Sequence, residues 1–259
     1  MKKTLIALAV AASAAVSGSA MAWTANGTGG SVDFGGTLTP QDVVTPWEVK
    51  VGAALNGLDA DIQKGKNSVT IDVGGAMPLL GIRTVSTAAF QGQSGISPQI
   101  SYGDAVNVDE FVKNKAPLTL KVTDDTNTEI GTLTSKLSAS AIVSALSNNG
   151  GYNGYRHVYA DTAGQGFFGG LPKNAEETLN ADIASVVMPG VGEHFTKQNV
   201  PVDSVGVSPT FDDVNSTYSA FYASGIRSGE KIAITLNTPA QGDEQIVWKA
   251  SLPVTVSYQ

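Results

Sequence analysis

The sequence predicts an all-β protein, a sandwich of antiparallel sheets with one short helix in an inserted region. Three observations predict it. Apolar residues recur at every second position in six short stretches, and Gly, Pro, Asn and Asp separate those stretches. Only one stretch shows helical spacing. The chain has no cysteine, so packing and backbone pairing must hold any such sandwich together.

Taken in order, WEVKVGAAL sets Trp47, Val49 and Val51 on one face, with Glu48 and Lys50 on the other. SVTIDV aligns Val69, Ile71 and Val73, and PLTLKV aligns Leu118, Leu120 and Val122. In EIGTLTSKL the parity changes between Ile130 and Leu133, and a β-bulge at Gly131 would absorb the extra residue. EKIAITL aligns Ile232, Ile234 and Leu236, and ASLPVTVSYQ aligns Leu252, Val254, Val256 and Tyr258. Such alternation marks strands with one buried face. The exception is NAEETLNADIASVVM, residues 174–188, where Leu179, Ile183, Val186 and Val187 stand at helical spacing. Asn174 and Glu177 form a capping-box pattern at its start, and Pro189-Gly190 supplies the stop.

The first residues read as an export leader. Lys2 and Lys3 precede an apolar run over residues 5–16 that is too short to cross a bilayer, and Ala20-Met21-Ala22 predicts cleavage between Ala22 and Trp23. Of the 259 residues, loss of 22 leaves 237, enough for one large core. No later segment is apolar for long enough to be a membrane-spanning helix. The net charge of −7 deepens to −9 once Lys2 and Lys3 are removed, which argues against a nucleic-acid partner.

Candidates for chemistry are sparse. His157 and His194 sit in no spaced metal motif. Ser228 and Lys231 match S-x-x-K without the companion motifs of serine–lysine catalysis. VTDDTNTE, residues 122–129, lacks the glycine and terminal glutamate of a calcium loop and reads as a hairpin turn. Neither a catalytic set, nor a metal site, nor a cofactor is expected. Binding remains. The glycine-rich, non-periodic stretch over residues 147–170 gathers Tyr155, Arg156, His157, Phe167 and Phe168, a candidate receptor surface in which rings stack on sugars and Arg bonds their hydroxyls.

The two ends carry a resemblance. The leader MKKTLIALAVAASAAVSGSAMA, the start W…GSVDFGGTLTP…WEVKVG and the closing W-x-A-x-L-x-V-x-V-x-Y together resemble the subunits of bacterial chaperone–usher fimbriae. They most resemble the cysteine-free branch whose major subunit is itself the adhesin, as in thin fibrillae of enterotoxigenic Escherichia coli. The resemblance implies an incomplete immunoglobulin-like β-sandwich, completed by a donor strand from the next subunit. It implies residues 1–22 as signal peptide, 23–38 as donor-strand extension and 39–259 as pilin domain, with an insertion at about 140–200. Gly30, Val32, Phe34, Gly36 and Leu38 would then face a neighbour's groove. Leu252, Val254, Val256 and Tyr258 would line the subunit's own groove and zip against a periplasmic chaperone. The implied partners are identical subunits, that chaperone, an outer-membrane usher and host-cell glycans, and the implied place is a fimbria on the cell surface. A coat protein without receptor binding and an exported β-sandwich hydrolase are the alternatives.

Overall fold

Residues that alternate along one face in the sequence converge on a common interior. The computed structural model describes residues 25–26, 32, 34–39 and 44–259. It divides into two units, Met1–Asp42 and Val43–Gln259. The leader, the expected cleavage at Ala22 and Trp23, and Gly30 lie outside the described residues. The second unit contains, in chain order, β1 (Trp47–Val51), β2 (Ser68–Asp72), β3 (Met77–Thr84), β4 (Phe90–Gln91), β5 (Pro98–Ser101), β6 (Lys115–Thr123), β7 (Glu129–Ser147) and β8 (Gly154–Tyr159). After β8 come α1 (Ile183–Val187), β9 (Gly206–Val207), β10 (Ser216–Ile226), β11 (Lys231–Leu236), β12 (Lys249–Ala250) and β13 (Thr255–Tyr258).

β7, 19 residues long, organises the molecule. Its first half pairs antiparallel with β6 and β11, and its second half with β10 and β8. The main sheet runs β1-β3-β10-β7-β11-β2, and β13 pairs with β5 in a second, two-stranded sheet. Leu80 and Ile82 of β3, Leu118 and Val122 of β6, Leu137 of β7, Tyr222 of β10 and Ile232 of β11 share one buried cluster, so the halves of the sheet close over a single core. The expected bulge is present. Val122 pairs with Gly131 and Thr123 with Glu129, which leaves Ile130 as the extra residue beside the expected glycine. A Cβ on Gly131 would strike the Thr235 carbonyl, so glycine is also what lets β11 approach.

A second, smaller cluster lies under residues 183–191. Ile183, Ala184, Val187, Met188 and Val191 pack on Ile142 of β7 and on Phe221 and Ala223 of β10. Ala141, Val143, Ala220 and Tyr222, at the intervening positions, join the main core. The centre of the sheet is therefore covered on both faces. A buried hydroxyl chain ties the insertion down: Tyr102 Oη lies 2.8 Å from Tyr222 Oη and 2.6 Å from Ser224 Oγ, and Tyr222 donates to the Gly170 carbonyl at 3.1 Å. Burial pushes the Tyr102 phenol up to about 12 and the Tyr222 phenol well above its ordinary value.

Two expectations are corrected. The stretch 147–170 is not irregular throughout, because residues 154–159 form β8 against β7. The helix is confined to Ile183–Val187, capped by Asp182, whose carboxylate accepts from Ser185 N at 2.9 Å. At the expected start, Asn174 does accept from Glu177 N at 2.9 Å. The Glu177 carboxylate, however, accepts from Lys113 N at 3.0 Å, and Asn114 Oδ1 accepts from Leu179 N. The 113–114 turn thus takes the groups that a longer helix would have needed for its own first turn.

Candidate binding cleft

The alternating strands border an open cleft. Leu118 and Leu120 of β6, Leu133 of β7 and Ile232, Ile234 and Leu236 of β11 form the floor of a cleft of about 1160 Å³, with Val69 and Ile71 of β2 beside them. On β2 the alternate residues Ser68, Thr70 and Asp72 are exposed, so period-two patterning aims each apolar face at the cleft. One wall is residues 51–62, contributing Leu55, Leu58 and Ile62; the other is residues 240–254, contributing Ile246, Trp248, Leu252 and Val254.

The walls are open backbone. Among the described residues, 53–62 take part in no strand, and neither do 244–248 or 251–254. The walls are joined at one end, where Gly65 N donates to Ala240 O and Ala240 N to Lys66 O, both at 2.8 Å, and where Lys64 pairs with Asp243. An apolar trough flanked by unpaired N–H and C=O groups is costly to leave empty, both in exposed apolar area and in unmade backbone pairing. One extended strand with apolar residues at every second position would satisfy both.

The closing segment divides at this cleft. Leu252 and Val254 line it, whereas Val256 and Tyr258 lie beyond it in β13, paired with Ile100 and Pro98 of β5 and packed on the main core. Of the four residues expected along one groove, the cleft takes Leu252 and Val254, and all four pack against the main core. Pro253, between them, lies outside any strand, so its missing amide hydrogen breaks no ladder. In the first unit Val32, Phe34 and Leu38 are 77%, 95% and 100% exposed, and a Cβ on Gly36 would meet nothing within 4 Å.

The candidate receptor residues separate. Tyr155, Arg156 and His157 are consecutive on β8, so Arg156 points away from the face shared by its two neighbours. Tyr155 packs on Phe195 with ring centroids 6.4 Å apart, under the Lys197 ammonium at 4.9 Å. Arg156 lies 4.1 Å over the Tyr152 ring, donates to the Val207 carbonyl at 3.0 Å and has Asp203 at 3.8 Å. His157 buries an Nδ1 that has no partner among the described residues, and burial pushes its imidazole below the ordinary value against the opposing charge of Asp182. Phe167 is fully buried and stacked on Tyr222, and Phe168 packs against the main core. These two phenylalanines fasten the insertion, and Phe167 offers no ring face to a ligand. Lys197 and Asp203 emerge as neighbours that sequence spacing did not single out, since that part of the chain returns to β8 through the Tyr155–Val202 bridge and the pairing of β9.

The chain as a whole matches known proteins. The family described as "Fimbrial, major and minor subunit" matches residues 1–259. The chain belongs to this family of fimbrial subunits. It is 32% identical to K88 fimbrial protein AC of Escherichia coli and 30% identical to the F41 fimbrial protein of Escherichia coli, in each case over 100% of both chains. The K88 minor fimbrial subunit FaeI of Escherichia coli is 27% identical over 88% of this chain and 90% of its own. The subunit is accordingly a structural component of fimbriae at the cell surface, where it assembles with other subunits, and its family is not one of enzymes.

Proposed function

We propose that the cleft is the acceptor through which the subunit polymerises, and that its occupant in the fibre is the segment 23–38 of a neighbouring copy. The observation that supports this most strongly is the match between an apolar trough with unpaired walls and a segment of the same chain whose Val32, Phe34 and Leu38 stand exposed at alternate positions, with Gly36 between the last two. Inserting that segment exchanges water for apolar contact, at about 1.5–3 kcal/mol for each large side chain fully buried. It also supplies the missing hydrogen-bond ladder. Before assembly a periplasmic chaperone occupies the same trough, and an outer-membrane usher mediates the exchange.

A synthetic peptide of residues 23–38, added to chaperone-bound subunit, is expected to displace the chaperone and give a peptide-bound subunit with a higher melting temperature. The same peptide carrying Phe34→Asp is expected to fail, because it would bury a carboxylate among leucines and isoleucines. Equal behaviour of the two peptides, or no displacement, would overturn the assignment of the occupant.

The fibre also carries the contact with host cells, through glycans recognised by the surface around β8. Support comes from the Tyr152–Arg156 stack on one face of β8, where Tyr152 is exposed, and from the Lys197–Tyr155 pair on the other, where Lys197 is exposed. Arg156→Ala combined with Tyr155→Ala is expected to reduce cell adhesion by about tenfold or more, as for loss of a principal anchor, with fibre amount unchanged by immunoblot and electron microscopy. Undiminished adhesion by normal fibres would leave the subunit as structural coat at this surface.

A further inference from the structure

Four Asn-Gly pairs occur in the chain, beginning at Asn26, Asn56, Asn149 and Asn153. Such a pair can close on itself when the side-chain amide is free to turn, the glycine amide is free to attack and nothing crowds the ring that forms. Gly27 lies outside the described residues. Asn149 Oδ1 accepts from Ser147 Oγ, and Asn153 Oδ1 accepts from Ser147 N, each at 2.6 Å. Gly154 is moreover locked in β8 opposite Ala145. The pair at 56–57 is under no such restraint. Both residues are exposed, neither makes a hydrogen bond among the described residues, and a Cβ built on Gly57, at φ +74°, would meet nothing within 4 Å.

We propose that Asn56 is a site of spontaneous deamidation built into the wall of the cleft, reacting ahead of Asn149 and Asn153. The Gly57 nitrogen, on losing its proton, attacks Asn56 Cγ. A C–N bond forms, the Cγ–Nδ2 bond breaks, and ammonia leaves with the proton. Water then opens the cyclic imide at either carbonyl, giving aspartate or isoaspartate, and no oxidant or reductant is needed. Leu55 and Leu58, on either side of the pair, both line the cleft. Aspartate would add a charge to a wall that already carries Asp59 and Asp61. Isoaspartate would lengthen the backbone between the two leucines and break their register against an incoming strand. On the reading that residues 51–62 pair with that strand, insertion immobilises Gly57 N, so assembled subunits are protected and waiting ones age.

The experiment incubates full-length subunit, purified with the proteins that carry it, alongside fibres from the same cells at mildly alkaline pH. Peptide mass mapping and isoaspartyl methyltransferase labelling then follow each pair. Asn56 is expected to convert about tenfold faster than Asn149 or Asn153 in the native subunit, the factor that release from one ordinary hydrogen bond allows. In denaturant the three rates are expected to converge, and Asn56→Gln is expected to remove the early signal. If Asn149 or Asn153 keeps pace in the native subunit, or if Asn56 leads equally in denaturant, the fold does not single out Asn56 and the proposal is overturned. If Asn56 leads in the subunit and converts as fast in fibres, the site stands, and what falls is the pairing of this wall with an inserted strand.

Discussion

Cells producing subunit that lacks residues 23–36 are expected to show no fibres, while the truncated chain accumulates as a complex with its periplasmic carrier. The size of the effect follows from what the segment brings. Val32 and Phe34 go with the deletion, and each is worth about 1.5–3 kcal/mol when fully buried, before any ladder hydrogen bond is counted. At about 1.4 kcal/mol per factor of ten, their loss alone moves the assembly equilibrium by orders of magnitude. The remaining unit keeps its own core and its cleft, since the described residues that line the cleft run from Val51 to Val254. Carrier binding should therefore survive. Electron microscopy of cells and size-exclusion of periplasmic extracts read the two halves of the result. Truncated subunits that still form fibres would show that the cleft is filled from elsewhere.

Trp47→Ala is expected to be the most damaging single substitution for stability, lowering it by about 3–5 kcal/mol. Trp47 stands at the start of β1 and is 6% exposed. Its indole meets Phe90, Phe167 and Phe211 at ring-centroid distances of 5.0, 5.6 and 5.1 Å, in edge-on and tilted arrangements that aromatic quadrupoles favour. Its Nε1 donates to the Ile96 carbonyl at 2.6 Å. Alanine would leave a void among three rings and strand a buried carbonyl. Because Phe167 belongs to the insertion, the damage should extend to the anchorage of that region. Trp47→Phe keeps a ring and loses the hydrogen bond, and is expected to cost about 1–3 kcal/mol. The denaturant midpoint of strand-complemented subunit measures both, and a loss for alanine no larger than that for phenylalanine would show that the cluster contributes little.

What the sequence made legible depended on solvent. β2, β6, β11 and the first half of β7 read as alternating because one face meets the core or the cleft and the other meets water. The strand faces that build the cleft floor are therefore legible as strands, while their meeting in a cleft is not. β3, β10 and the second half of β7 carry no such signature. Ala139, Ala141 and Val143 face the main core, while Ser140, Ile142 and Ser144 lie under residues 183–196, so nearly every position is buried. Two-sided burial erases alternation. The pattern over residues 174–188 reads as one helix because its local capping signal is genuine, yet Lys113 and Asn114, more than sixty residues away in sequence, claim the groups concerned. The receptor set grouped residues that are close in sequence, whereas strand alternation and the burial of Phe167 dispersed them.

The long strand β7 also bears on how a fibre resists being torn. With no cysteine in the chain, no covalent staple resists extension of the subunit. Pulling along β7 would instead set ten residue pairs with β10 and nine with β6 in shear at once. A zipper opens one tooth at a time, but rungs sheared together must fail together, so mechanical toughness here is a property of strand length rather than of crosslinks.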